Sequence, residues 1–556
     1  MQRPTPTADL SAGVYSVPRA QAPVDLRLDS NEGANPPADL LQSVLGADVL
    51  RRYPDIGPLE RLLAQRLGVD ADQVVATAGA DDAIDRACRA VLCAGRELVV
   101  PVPGFEMVLR YARQTGASVV TVPWDQPAYP TQLVLDSLSS NTAMIVVTSP
   151  NNPTGGVATA DDLRALAEAA PQALLLVDLA YAEFADEDLT EAALALPQAL
   201  VIRTLSKAWG LAGLRVGYAA GPSEVIGWLR AVGPPYAVSG VSAAAALVRV
   251  QSGEEDMAAF VRCVRAERAR LEVLMGQLGL RPSPSQANFV FAECADPVWL
   301  RDGMAGLGIA IRAFPGKAGL ERRVRIGCPG DSASFDRLCA GLRTVTQPQA
   351  LLLDIDGVLA DVTGSYDQAI VQTAAAFGVV VSAADVAAAK ANGDANNDWV
   401  LTWRLIGTDA RLEDVTECFE RLYNEQLWRR ETLIPSAMLL RRLAARMPLA
   451  AVTGRPRRDL ERFLDLVGLD DLFSATVTME DAPAKPDPAP VRLALQRLGL
   501  SRAWMVGDTP DDARAARAAG VLPLGFGPVQ GQVQAGAARV LDSLEQLESL
   551  LDLGGE

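Results

Sequence analysis

The chain has 556 residues, 49% of them apolar, which is enough for more than one sizeable core, so several domains are expected. A net charge of −17 argues against nucleic-acid or anionic-membrane partners, because either would need a basic face. Histidine is absent throughout, which excludes a histidine triad, a His-ligated metal and an imidazole general base.

The seven cysteines are odd in number and show no Cys-x-x-Cys pair, the pattern expected of reduced thiols in a cytoplasm rather than of a disulfide framework or zinc site. The N-terminus is polar and proline-containing, so no signal peptide is expected, and no apolar run approaches membrane-spanning length. Strand-like apolar runs alternate with helical periods, which predicts α/β architecture with parallel sheets. Leu98–Val102, Met144–Thr148, Leu174–Asp178 and Ala199–Arg203 read as buried strands, each ending near a polar or glycine-bearing motif. Open α/β sheets place their ligands at such strand ends. Arg262–Leu280 reads as a long helix leading into a smaller subdomain. A polar joint, Gln347-Pro348-Gln349, then precedes a second set of strands at Ala350–Leu353, Leu449–Val452 and Trp504–Val506. The expected domains are 1–345, a linker 346–349, and 350–556 with a helical insertion over about 361–447.

The first domain carries what a lysine-held pyridoxal phosphate (PLP) requires: an amine, an acid for the ring nitrogen, donors to the ring oxygen and a phosphate cup. Lys207, behind Thr204, Leu205 and Ser206, is the amine candidate. Asp178 closes an apolar strand, where a buried carboxylate can keep the ring nitrogen protonated. Tyr181 and Asn152 can reach the ring oxygen. Thr77-Ala78-Gly79-Ala80-Asp81 opens a helical stretch whose backbone N–H groups can face a phosphate, and Thr204, Ser206 and Arg215 complete the cup.

With these motifs, residues 1–345 resemble a fold-type-I aminotransferase of the histidinol-phosphate aminotransferase group. The resemblance implies a homodimer, because Arg52-Tyr53-Pro54-Asp55 matches a motif whose tyrosine reaches the neighbouring subunit's cofactor phosphate. It implies that Phe105 stacks on the cofactor ring and that Arg325, in Val324-Arg325-Ile326-Gly327, binds the substrate's acidic group. It also implies that Tyr15, with Arg19, helps hold a substrate phosphate, and that Asn31-Glu32 opens a further family element. Three departures stand out: Asn-Glu-Gly-Ala-Asn-Pro-Pro is longer than the family element, Leu179 replaces a glutamate, and Phe105 stands where tyrosine is commoner. Arg312 reads as an ordinary solvated arginine.

The second domain carries the parts of phosphoryl transfer through an aspartate. Asp354 follows a strand and is the nucleophile candidate. Asp356 can protonate the leaving oxygen and then activate water. Gly357 permits the sharp turn behind them. Thr453 can bond a phosphoryl oxygen, and Lys485 supplies positive charge. Asp354, Asp356, Asp508 and Asp512 form the candidate Mg²⁺ set. Four elements in this order resemble a haloacid-dehalogenase-superfamily phosphatase with a first-position helical cap. In the cap, Asn392, Asn396, Trp399 and Trp403 are pocket candidates, with packing the expected role of both tryptophans.

The pairing implies two consecutive reactions: transamination of imidazole acetol phosphate with glutamate, giving histidinol phosphate and 2-oxoglutarate, then hydrolysis to histidinol. An enzyme needed when histidine is scarce also gains from containing none. The alternatives are an aminotransferase or phospho-amino-acid decarboxylase of other specificity fused to another phosphomonoesterase, or one catalytic half joined to a binding module.

Overall fold

The computed structural model describes residues 14–391, 397–407, 410–527 and 531–553. They form two compact units. One comprises the chain up to Pro18, Leu28–Cys294 and Gly316–Asp336; the other comprises Arg19–Arg27, Ala295–Pro315 and the chain from Arg337 onward.

The first unit is built on a seven-stranded sheet in the order Val74–Thr77, Gly217–Ala220, Ala199–Thr204, Leu174–Asp178, Thr142–Thr148, Glu97–Val102, Ser118–Pro123. All pairings are parallel except those of Gly217–Ala220, which runs against both neighbours. The strands are apolar on both faces because helices cover both. Leu98, Val100, Met144, Val146, Leu174 and Leu176 enter one core, while Val99, Ile145, Val147, Leu175 and Val177 enter the other. The expected long helix covers Glu254–Gln277 rather than 262–280. Its first turn is Glu254-Glu255-Asp256, and acidic side chains there favour the positive end of the helix dipole. A smaller sheet sets Phe289–Glu293 antiparallel between Arg281–Ser283 and Arg323–Gly327.

The second unit contains a six-stranded parallel sheet in the order Ala475–Val477, Leu449–Val452, Ala350–Leu353, Ala503–Gly507, Leu522–Phe526, Val540–Leu541. Between its first two strands in sequence lie the helices Tyr366–Ala376, Ala383–Ala391, Asp398–Ile406 and Leu412–Glu425. The antiparallel pair Ala360–Asp361 and Thr432–Leu433 closes the base of this cap. Helix Pro297–Gly306 and the end of helix Ser332–Thr346 pack against the same unit. Trp504 is 1% exposed; its indole N–H donates to the Thr344 carbonyl at 2.8 Å, and its ring meets Trp299 edge-on at 5.2 Å. Arg312 is 5% exposed, with its guanidinium 5.3 Å over the Phe314 ring, and so is not the solvated side chain its sequence context suggests. Stacking on an aromatic face lets a guanidinium be buried where an ammonium would not be.

Candidate active sites

The first site gathers at the carboxyl ends of the seven-stranded sheet. The Lys207 ammonium donates to the Ser30 carbonyl at 3.0 Å and lies 5.6 Å from the Tyr181 ring centre. Tyr181 Oη accepts from Asn31 Nδ2 at 3.1 Å, and its ring stands edge-on to Phe289. Arg325 donates to Asn152 Oδ1 at 2.5 Å and to the Asp29 carbonyl at 2.7 Å, so it is a buried, oriented cation over the Phe289 ring. Asp178 is buried at its strand end, and burial pushes its carboxyl up to about 6 against the opposing Ala180 N–H.

The longer Asn-Glu-Gly-Ala-Asn-Pro-Pro segment has a steric reason to hold glycine. A Cβ on Gly33 would overlap the Lys207 carbonyl oxygen, so the strap carrying Asn31 runs directly against the lysine backbone.

Farther along the cleft, helix Ala80–Val91 begins with Gly79 as its N-cap. Thr204 Oγ1 bonds Ser206 Oγ at 2.9 Å, Arg215 donates to Ser206 Oγ at 3.3 Å, and Arg215 pairs with Asp81 at 3.0 Å. A helix N-terminus with two hydroxyls and a guanidinium around it is the donor set a phosphate dianion takes. Phe105 is half-buried at the start of helix Glu106–Gln114 and packs against the sheet's core. Tyr15 is half-exposed, with the Arg110 guanidinium 5.7 Å over its ring. Tyr53 is 79% exposed and stacks on Tyr236 at 4.4 Å.

The second site lies at the carboxyl ends of the six-stranded sheet. Asp354 ends the central strand, and Lys485 Nζ sits 2.9 Å from its Oδ2 and 2.5 Å from Asp512 Oδ1. Carboxylate oxygens of Asp354, Asp508 and Asp512 lie within 4.8 Å of one another. Burial, together with the neighbouring Asp512 and Asp356 charges, raises Asp354 to about 7 despite Lys485, and burial beside Asp512 and Asp354 raises Asp508 well above the usual carboxylate range. Three crowded carboxylates against one ammonium want a further cation. Asp511, next to Asp512, pairs instead with Arg514 at 2.8 Å. Gly357 has φ of +71° and the Asp508 carboxylate directly against its Cα, so glycine is required twice over.

Thr453 is buried in the same cleft, and its hydroxyl accepts from the Arg455 N–H at 3.1 Å. The Asp356 carboxylate is not among the clustered three. It is taken by Arg455, whose guanidinium reaches it at 2.5 Å and reaches Glu431 at 2.8 Å. Arg455 is 1% exposed and lies between the Tyr366 and Phe463 rings. It is not among the sequence candidates although it directly follows Thr453-Gly454; an arginine two residues from the candidate threonine is the available signal. In the cap, Trp399 lines a cavity with Asp356, whereas the Trp403 N–H is used by the Ala410 carbonyl at 2.7 Å. Asn392 and Asn396 lie outside the described residues.

Residues 7–342 match the aminotransferase class I and II family, and residues 348–520 match the haloacid dehalogenase-like hydrolases. The chain belongs to the class I and II aminotransferases, with a haloacid dehalogenase-like hydrolase domain behind. It is an enzyme with a transferase domain and a phosphatase domain. Class I aminotransferases use PLP, and haloacid dehalogenase-like phosphatases use Mg²⁺. Both fit what the enzyme presents: a buried Asp178 carboxylate suited to a protonated ring nitrogen, and an acidic trio short of positive charge.

The aminotransferase half is 34% identical over 319 residues to an aromatic amino acid aminotransferase of Corynebacterium efficiens, covering 55% of this chain and 92% of that protein. It is 33% identical over 327 residues to histidinol-phosphate aminotransferase 1 of Mesorhizobium japonicum, covering 56% and 88%. A histidinol-phosphate aminotransferase from Sinorhizobium meliloti, solved with pyridoxal-5'-phosphate, superposes with a TM-score of 0.55 at 26% identity, over 60% of this chain and 95% of that one. An imidazoleglycerol-phosphate dehydratase of Phytophthora nicotianae is 47% identical over 193 residues, which is 32% of this chain; the match spans only 43% of the length of that protein. No helix among the described residues is long and apolar enough to cross a membrane.

Proposed function

We propose that the chain catalyses two consecutive steps of histidine biosynthesis in the cytoplasm. The first half transaminates imidazole acetol phosphate with glutamate to histidinol phosphate and 2-oxoglutarate. The second half hydrolyses histidinol phosphate to histidinol and phosphate. The observation that carries this reading is the presence on one chain of a lysine–aspartate transaminase set and a complete aspartate phosphatase set, so that the first product is a phosphomonoester the second site can cleave. The names of two relatives support it, since one acts on histidinol phosphate and the other on imidazoleglycerol phosphate.

In the first site PLP, when bound, supplies an electron-withdrawing ring that acidifies the substrate's Cα–H. Lys207 holds the cofactor and moves the proton at Cα. Asp178 keeps the ring nitrogen protonated, and Tyr181 and Asn152 orient the ring oxygen. Gly79, Ala80 and Asp81 turn backbone N–H groups toward the cofactor phosphate beside Thr204, Ser206 and Arg215, while Phe105 covers the ring. Arg325 receives the carboxylate of glutamate, and Tyr15 helps hold the substrate phosphate. Tyr53 completes the phosphate cup of a neighbouring copy in a homodimer.

In the second site Asp354 attacks phosphorus, Asp356 protonates the departing alcohol oxygen, and the resulting phosphoaspartate is opened by water that Asp356 deprotonates. Lys485 and Thr453 hold the phosphoryl oxygens. Asp354, Asp508 and Asp512 would hold Mg²⁺, which neutralises phosphoryl charge when bound; the Asp356 carboxylate, held by Arg455, stands outside that trio.

Asp354→Asn supplied with imidazole acetol phosphate and glutamate should accumulate histidinol phosphate, whereas wild type with Mg²⁺ yields histidinol. The reading fails if wild type leaves histidinol phosphate intact while cleaving another phosphomonoester rapidly. A second reading, transamination of aromatic keto acids, is favoured by the similarity to the Corynebacterium enzyme. It predicts a higher kcat/KM for phenylpyruvate formation from phenylalanine than for histidinol phosphate.

A further inference from the structure

Between the cap and the core of the phosphatase lies a small cavity of about 20 Å³, lined by Asp356, Asp398, Trp399, Gly454 and Met479 among others. The phosphate end follows from the phosphatase reading above, because Asp354 and Lys485 lie at the carboxyl end of the sheet and Asp356 is assigned to protonate the leaving oxygen. The part of the substrate beyond that oxygen therefore extends toward the cap wall, where Asp398 and Trp399 open the helix Asp398–Ile406.

The charges along that wall do not balance. Arg455 is shared by two carboxylates, Asp356 and Glu431. Lys390 is likewise shared, lying 2.8 Å from Asp367 and only 3.4 Å from Asp398 Oδ1. Asp398 Oδ1 is buried and accepts no hydrogen bond among the described residues. Among the described residues these two cations are shared by four carboxylates, and Asp398, the farther of the two that Lys390 serves, lines the cavity beside an indole. A buried carboxylate with an open acceptor is unfavourable unless something donates to it, and an aromatic face next to it suits a cationic or flat group.

The geometry points to Asp398 as the specificity-determining residue of the phosphatase: its carboxylate receives a cationic group, an ammonium or a protonated heterocycle, at the end of the phosphomonoester opposite the phosphate. The substrate class is a small zwitterionic amino-phosphomonoester. This rests on the phosphatase reading above and extends it. Lys390 stays with Asp367, the nearer of its two carboxylates, so the incoming cation takes the Asp398 side of the pair.

The test uses the full chain with Mg²⁺ and three substrates: histidinol phosphate, phosphoethanolamine and glycerol phosphate, the last carrying no cation. Asp398→Asn keeps the size and removes the charge. It should lower kcat/KM for the two cationic substrates by about tenfold to a hundredfold, chiefly through KM, the range expected when one charge-assisted hydrogen bond is lost. Hydrolysis of glycerol phosphate should stay within about twofold, which also shows that the variant is folded. An equal loss on all three substrates, or no loss on the cationic pair, overturns the assignment. If wild type cleaves phosphoethanolamine but not histidinol phosphate, and Asp398→Asn still selectively impairs it, the pathway reading fails while Asp398 keeps its role.

Discussion

Asp178 is a single carboxylate whose burial can be read out without any catalytic assay. Its folded value is raised from 3.8 to about 6 by burial, so in cofactor-free protein its protonated form is favoured. The sign follows from linkage: the stability tied to this group is fully present below about pH 4 and is lost as pH rises through 6. The amount is on the order of 3 kcal/mol. Asp178→Asn cannot ionise, so cofactor-free variant and wild type should melt together near pH 4, and the variant should melt higher by pH 7. Equal melting temperatures at both pH values would show that Asp178 carries no such penalty. A second residue-scale expectation separates the activities. Lys207→Ala should lose the visible band of lysine-bound cofactor and all transamination, yet keep phosphate release from histidinol phosphate near the wild-type rate. Loss of both in a folded protein would overturn the division of labour.

At the scale of elements, the strap that includes Gly33 and carries Asn31 runs against the backbone of Lys207. Gly33→Ala adds a methyl that overlaps the Lys207 carbonyl, so the strap must move and draw Asn31 from Tyr181. Strain from such overpacking is typically about 1–3 kcal/mol, so transaminase kcat/KM should fall by roughly tenfold or more while phosphatase activity is unchanged. Unchanged transamination would show that the strap yields without disturbing the site. The strand elements were legible from sequence because their residues are apolar on both faces, so Leu174–Asp178 and Leu449–Val452 read as continuous runs. The start of the long helix was not, because Glu254-Glu255-Asp256 carries no apolar period, and its placement depends on a helix dipole instead. Lys207, Asp178, Asp354 and Lys485 were legible because each follows or ends a strand at a recognisable motif. Arg455, Lys390 and Asp398 were not. Arg455 pairs with Asp356 and Glu431 and Lys390 with Asp367, partners more than twenty residues away that only the folded cap brings together, and Asp398 is drawn in through Lys390.

At the scale of the whole molecule, the exposed Tyr53–Tyr236 stack is an aromatic surface that a second copy would cover. Sedimentation should give a dimer. Mixing Tyr53→Phe with Lys207→Ala protomers should give heterodimers with one intact transaminase site and one disabled in both respects. A fully active monomer would refute the expectation.

The indole of Trp504 sets a different condition. Its N–H and one ring edge are satisfied by Thr344 and Trp299, residues that precede the phosphatase strands in sequence. A fragment beginning at Gln347 would lose the Thr344 acceptor and bare an apolar ring to water. Such a fragment should melt several degrees lower than the phosphatase within the full chain and bind a hydrophobic dye. Equal melting would show that the contact is dispensable. Once a phosphatase has come to rely on an indole pocket made from its neighbour's polypeptide, the gene fusion is hard to reverse. Substitution can still part the two activities, whereas cutting the gene would leave one product aggregation-prone.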